Sequence, residues 1–138
     1  MVIYTAADLK YATAMCKLLD PSDRYIKKIL TREHCFKTEK GYMVKDLRMV
    51  ASTTGKVVLV DNSPQCFAPQ INNGIPILTY ISGNDDTELL KLFNFLVYLK
   101  EQPSMPEYLR KYFNLGRLIR CCYDAEILEH LKTIGSNC

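Results

Sequence analysis

Val57-Val58-Leu59-Val60-Asp61-Asn62-Ser63-Pro64 is the stretch on which the fold turns. Four aliphatic residues in succession read as a strand buried on both faces, the kind found in parallel sheets covered by helices. Ligands of such sheets lie outside the carboxyl ends of the strands. Asp61 and Asn62 stand at that end, so a charge and an amide fall where an α/β protein does its chemistry. The residues Asp-Asn-Ser-Pro equally suit a plain turn after a strand.

Downstream, residues 63–75 are rich in Pro, Asn, Gln and Gly and read as a long loop. Pro76-Ile77-Leu78-Thr79-Tyr80 reads as the next strand, with its proline at the tolerated first position. Asn84-Asp85-Asp86 predicts the N-cap of a helix over 87–100, with Leu89, Leu92, Phe93, Leu96 and Leu99 on one face. After Pro103 and Pro106 come amphipathic segments near 107–113 and 124–134. The second shows Ile127, Leu128, Leu131 and Ile134 behind Asp124. Upstream, Tyr42-Met43-Val44 follows a hairpin-like turn at Glu39-Lys40-Gly41. Residues 25–35 read as a helical turn and then a strand. Leu9, Ala12, Met15, Cys16 and Leu19 have helical spacing, and Asp20-Pro21 stops that helix. Val2-Ile3-Tyr4 is a short apolar run. The alternation of strands and helices predicts an α/β protein.

The chain of 138 residues has the size of one ordinary domain with one core. It is 48% apolar and 24% charged, a globular composition. A net charge of +3, from 18 basic and 15 acidic residues, is too mild to argue for nucleic acid. Lys27, Lys28, Arg32, Lys37 and Lys40 form a basic stretch that reads as a solvated face. The cysteines at 16, 35, 66, 121, 122 and 138 include no Cys-x-x-Cys pair, which argues against zinc. They read as reduced thiols in a nuclear or cytoplasmic protein. Cys35 is not followed six residues later by the arginine of a tyrosine phosphatase, since position 41 is Gly41. No stretch is long and apolar enough to span a membrane, and the N-terminus has no signal pattern.

Several short motifs follow one another in a definite order. They are Val2-Ile3-Tyr4-Thr5-Ala6, Arg32-Glu33-His34-Cys35, Tyr42-Met43-Val44-Lys45-Asp46-Leu47, the Asp61-Asn62-Ser63-Pro64 strand end, and Asn72-Asn73-Gly74-Ile75-Pro76-Ile77. The ordered set, covering about residues 2–100, resembles the small C-terminal-domain phosphatases of the haloacid-dehalogenase superfamily. Pro106-Glu107-Tyr108-Leu109-Arg110-Lys111-Tyr112-Phe113 is similar to the end of the longer, C-terminal-domain-phosphatase-like members.

The resemblance implies a haloacid-dehalogenase-like three-layer sandwich with a mostly parallel sheet. It implies a partial phosphatase domain over 1–103 and a helical extension over 104–138 packed on or beside it. It also implies removal of phosphate from phosphoserine or phosphothreonine in a protein substrate, with magnesium as cofactor. Thr5, Lys45 and Asn62 would hold the phosphoryl group, Arg32 would touch the bound phosphopeptide, and Asp61 would hold the metal. These residue types suit the chemistry, because fixed cations and donors stabilise charge on a transferring phosphoryl group. Read alone, Thr5 is equally a strand-end hydroxyl capping the next helix, Lys45 a surface lysine, and Arg32 a partner of Glu33 or Glu39.

The family's nucleophile lies in an Asp-x-Asp-x-Thr motif on the first strand, and no Asp-x-Asp occurs in this chain. The expectation is therefore a sheet without its first central strand, between the strands ending at Thr5 and Asp61. That leaves a gap of about 10 Å, two strand spacings. Unpaired buried backbone groups cost about 1–3 kcal/mol each. So the flanking strands close up, a partner lends a strand, or the chain is a fragment or mispredicted start of a longer protein; the last is the reading preferred from sequence. Asp8 stands where small family members carry an apolar residue facing a substrate proline, which puts that preference in doubt. The chain is expected to be inactive as it stands. The alternatives are a non-catalytic phosphopeptide-binding module and, third, an import-receptor-like domain of the mitochondrial inner-membrane translocase.

Overall fold

Short strands in three separate pairs organise the molecule, as seen in a computed structural model that describes residues 1–82 and 85–117. Strand β1 (Val2–Tyr4) runs parallel to β2 (Lys28–Leu30), with Ile3 opposite Ile29. The Thr5 amide extends this ladder by donating to the Leu30 carbonyl at 2.9 Å. Helix α1 (Leu9–Leu19) makes the crossover. Strands β3 (Phe36–Lys37) and β4 (Met43–Val44) form an antiparallel hairpin. Its turn needs Gly41, whose φ of 85° lies in the left-handed region. Strand β5 (Leu59–Asp61) runs parallel to β6 (Gly74–Pro76), and helices α2 (Glu88–Leu99) and α3 (Met105–Phe113) follow. Among the described residues no strand joins β1 to β5, so the parallel structure is in two pieces. Parallel pairs connected through helical segments make this an α/β fold.

Local chemistry explains the element ends. The Asp8 carboxylate accepts from the Tyr11 amide at 2.9 Å and caps α1, whose buried residues Ala12 and Cys16 are four apart. At the other end the Asp20 carboxylate accepts from the amides of Arg24, Tyr25 and Ile26 at 3.0, 2.7 and 2.8 Å. The Ile26 amide, then those of Tyr25 and Arg24, hold this buried acid below the ordinary carboxylate range against the opposing effect of burial. The turn from α1 to β2 is thus folded around one anion.

The core lies on the β5–β6 side. Phe67 packs with Leu47, Leu59, Cys66 and Leu115, and Ile75 packs with Leu99 and Leu109. A Cβ on Gly74 would sit 2.5 Å from Phe67 Cγ, so the ring closes over bare backbone.

The structure corrects several expectations. Within 57–60 only Leu59 is fully buried, and the strand runs to Asp61. Residues 63–75 are largely not loop: Pro64–Asn73 is 3-10 helical with a break at Gln70. Asn73 anchors its end by donating to the carbonyls of Thr54 and Val57 at 2.7 and 2.8 Å. The strand expected at 76–80 is β6 at Gly74–Pro76, and Leu78 and Tyr80 beyond it are exposed. In 25–35 the order is reversed, with β2 preceding a 3-10 turn at Arg32–His34. Helix α2 has Thr87 at its N-cap, and the Asp86 carboxylate accepts from the Glu88 amide at 2.7 Å. Its inner face is Leu92, Phe95, Leu96 and Leu99, whereas Leu89 and Phe93 are 72% and 65% exposed. Helix α3 begins two residues before the expected 107, where Ser104 caps and Pro106 sits in the first turn. Asn84 and the expected helix over 124–134 lie outside the described residues, as do Cys121, Cys122 and Cys138. No described helix is long and apolar enough to cross a membrane.

Candidate functional site

Lys45 follows β4 and Asp61 ends β5, and the fold closes these two side chains into an ion pair. Both are buried, with 8% and 9% of the side chains exposed. The backbone on each side is pinned. The Lys45 amide donates to the Cys66 carbonyl at 3.1 Å, and the second oxygen of Asp61 accepts from the Ser63 amide at 2.8 Å. Lys45 is therefore not an ordinary surface lysine.

Thr5 reaches the same neighbourhood from β1. The Cys35 thiol donates to the Thr5 and Thr31 carbonyls at 3.7 Å each. Burial raises the Cys35 pKa first of all, the Lys45 cation lowers it, Asp61 raises it and Arg32 lowers it. The net shift is upward, and Cys35 lies within electrostatic reach of three of the sequence-selected residues. Thr5 Oγ1 accepts from the Ala7 amide at 3.1 Å, which leaves its hydroxyl proton to donate. Asp8, not Thr5, caps the helix. Arg32 Nε donates to the Ala6 carbonyl at 2.7 Å, and its amide to the Ala7 carbonyl at 3.0 Å. The arginine is thereby stapled to the loop behind Thr5, with the residue itself exposed.

Asn62 behaves differently. It is exposed, and its amide donates to Thr79 Oγ1 at 2.9 Å on the side of the chain beyond β6. The structure thus joins Lys45 to Asp61, ties Arg32 to the Ala6–Ala7 backbone after Thr5, and directs the Asn62 amide to Thr79.

Sequence reasoning missed the supports. Asp46 binds Arg48 through its side chain and accepts from Gln70 Nε2 at 3.0 Å. Gln70 Oε1 accepts in turn from the Leu47 amide at 2.9 Å. Burial raises Asp46, but these bonds from Arg48 and Gln70 outweigh it and hold the carboxyl below its usual value. The Tyr4 hydroxyl donates to the His34 carbonyl at 2.5 Å and accepts from the Asp46 amide at 3.4 Å. That hydroxyl ties β1, the Arg32–His34 turn and the Lys45 segment together. The pattern around Asp46 was readable as a motif, whereas nothing in the sequence pointed to Gln70. Cys66, packed beside the pair, has its thiol pushed up to about 12 by burial and by Asp61. It is not a reactive thiol.

These donors do not by themselves fit a magnesium site. The ion takes six oxygens in near-ideal octahedral geometry. Asp61 supplies one carboxylate, with one oxygen on Lys45 and the other on the Ser63 amide. Among the described residues no three His, Cys, Asp or Glu side chains converge on a point.

Thr5 and Asp61 stand at the carboxyl ends of parallel strands, and Lys45 reaches Asp61 from the end of the β3–β4 hairpin, which is the geometry of an α/β domain with polar side chains gathered at its strand ends. The family model for NLI interacting factor-like phosphatases matches residues 1–106, and the chain belongs to that family, which is haloacid-dehalogenase-like. It is 43% identical over 96 residues to CTD small phosphatase-like protein 3 of Caenorhabditis elegans, covering 70% of this chain and 33% of that protein. It is 36% identical over 119 residues to CTD small phosphatase-like protein 2 of Dictyostelium discoideum, covering 86% and 21%. It is 32% identical over 118 residues to CTD nuclear envelope phosphatase 1 of Xenopus laevis, covering 86% and 48%. The chain therefore spans between about a fifth and about a half of the length of these relatives.

Proposed function

We infer that this chain is the phosphate-gripping part of a phosphoserine/phosphothreonine protein phosphatase domain and does not turn substrate over by itself. The observation that carries this reading is the buried Lys45–Asp61 pair at the ends of β4 and β5, with the Tyr4 hydroxyl, next to Thr5, bonded to the Asp46 amide beside Lys45. A phosphoryl group entering there meets the Lys45 ammonium, the Thr5 hydroxyl and the Arg32 guanidinium, all held before the ligand arrives. Preorganised donors of this type are what stabilise phosphoryl charge. The phosphoaspartate route also needs an attacking carboxylate, and no Asp-x-Asp is present in the 138 residues. The free thiols of Cys16, Cys35 and Cys66 support a nuclear or cytoplasmic setting. The sandwich architecture, with a central strand between β1 and β5, and the division at residue 103 are part of the same proposal.

The test compares the chain with a version extended at Met1 by a strand bearing Asp-x-Asp-x-Thr. Both are assayed with phosphoserine peptide and magnesium. The chain is expected to bind the peptide without turnover, and the extended version to hydrolyse it. Turnover by the chain alone would show that the nucleophile lies elsewhere. Binding by both without turnover by either favours the pure phosphopeptide-binding module.

A further inference from the structure

Helix α2 is apolar around most of its circumference. Leu92, Phe95, Leu96 and Leu99 pack inward, while Leu89, Leu90, Phe93 and Val97 are exposed. A helix apolar all round normally has both sides covered. The N-terminal part of the bare side does not face open solvent alone. It forms one wall of a cleft of about 530 Å³ whose other walls come from β5 and the segment after β6. That volume falls within the range of about 300–1,000 Å³ usual for ligand sites. Val60, Ile77, Leu78, Leu89 and Leu90 give it an apolar lining.

Two observations say what covers this surface. The cleft touches the Lys45–Asp61 pair, since Asp61 lines it as well as pairing with Lys45. Its rim also carries Asp86 and Glu88. Glu88 pairs with Lys91 at 2.6 Å and Asp86 acts on the same ammonium, so two carboxylates face one cation and leave one net negative charge here. A chain leaving the phosphate site therefore crosses apolar surface and then meets an anion.

We propose that this cleft is a specificity subsite, which seats a bulky apolar residue next to the phosphoresidue of a phosphopeptide and a basic residue beyond it. This rests on the phosphate grip proposed above, and it adds the substrate class. Asn62, tied to Thr79, lines the cleft. The subsite lies on the β5–α2 side, away from Asp8 at the start of α1.

The experiment measures fluorescence anisotropy of labelled serine-phosphorylated peptides on the full chain. One peptide set has Leu-Lys on either side of the phosphoserine, a second has Ser-Gly there, and a third is the Leu-Lys set without phosphate. The Leu-Lys phosphopeptide is expected to bind about tenfold tighter or more than the Ser-Gly one, from burial of one apolar side chain. Leu90→Ser and, from the opposite wall, Leu78→Ser are each expected to bring the two phosphopeptides to similar affinity. Both positions are exposed, at 67% and 72%, so neither change disturbs the core. Equal affinity of the two phosphopeptides for the unmodified chain overturns the subsite while leaving the phosphate grip intact. Failure of every phosphopeptide, and of inorganic phosphate, to bind removes the grip and the subsite with it. Equal binding of the Leu-Lys peptide without phosphate overturns the proposal, because the cleft is then a docking groove unrelated to phosphate. A dimer in sedimentation that Leu90→Ser disperses also overturns it, with a second copy as the occupant.

Discussion

The pairs β1–β2 and β5–β6 are both three residues long and parallel, and each delivers a site residue, Thr5 or Asp61, at its carboxyl end. They are held by different forces. Around β5–β6, the side chains of Leu59, Phe67, Ile75, Leu99 and Leu109 are buried together. In β1–β2 only Leu30 is fully buried, and Val2, Ile3 and Tyr4 are half-buried. Polar bonds do more of the holding there. The N-terminal ammonium donates to the Tyr25 carbonyl at 2.9 Å, the Lys27 amide to the Met1 carbonyl at 2.9 Å, and Tyr4 to His34. The wall bearing Asp61 is therefore built on hydrophobic burial, and the wall bearing Thr5 on directional bonds.

The largest expected effect tests the hydrophobic side of this contrast. Phe67→Ala should cost about 3–5 kcal/mol in urea denaturation, the usual range for a buried aromatic. Ile3→Ala in β1 should cost less than about half of that, being half-buried. Equal costs would erase the difference between the two pairs.

Next in size is the ion pair that joins the end of β4 to the end of β5. Asp61→Asn should cost about 3 kcal/mol because it strands the buried Lys45 ammonium. The double change Lys45→Met with Asp61→Leu should recover most of that loss in the same measurement, while abolishing phosphate binding. If the single and double variants are equally destabilised, the pair is not an isolated buried couple.

Why some of this was legible and some not follows from the range of the interactions. The C-terminal end of α1 was readable, because Asp20 acts on backbone within six residues, whereas the cap at its start is Asp8 and not the Thr5 that the sequence offered. The inner face of α2 was not readable, since its apolar residues run around most of its circumference and periodicity cannot choose among them. The Pro64–Asn73 segment passed for loop because a 3-10 helix broken at Gln70 has no clear apolar period. Lys45 and Asp61 are 16 residues apart, and in the sequence only the order of the motifs connects them. Gln70 supports the site through one side chain bonded 23 and 24 residues back, which no local pattern records.

A smaller effect is expected at the hydroxyl that fastens the β1 wall. Tyr4→Phe should cost about 1 kcal/mol through the lost bonds to His34 and Asp46. It should also weaken phosphate binding more than Ile3→Ala does, in a calorimetric titration. Burial raises the Tyr4 phenol, so near neutral pH this group acts as a neutral donor.

The smallest effect concerns acid. The folded pKa of Asp20 lies below its unfolded value, so its contribution is complete above the ordinary carboxylate pKa of about 3.9. That contribution is lost as pH falls through the folded value. The difference in urea midpoint between pH 7 and pH 3 should therefore be smaller in Asp20→Asn than in the parent chain. An unchanged difference would mean that other acids govern the acid limb.

The most direct test of the account is a titration of the chain with inorganic phosphate, followed residue by residue in amide NMR spectra. The prediction is that Thr5, Ala6, Ala7, Lys45 and Asp61 shift together with one saturation curve. Shifts confined to Lys27, Lys28, Lys37 and Lys40 of the basic stretch, or no shifts at the β1 and β5 ends, would contradict it.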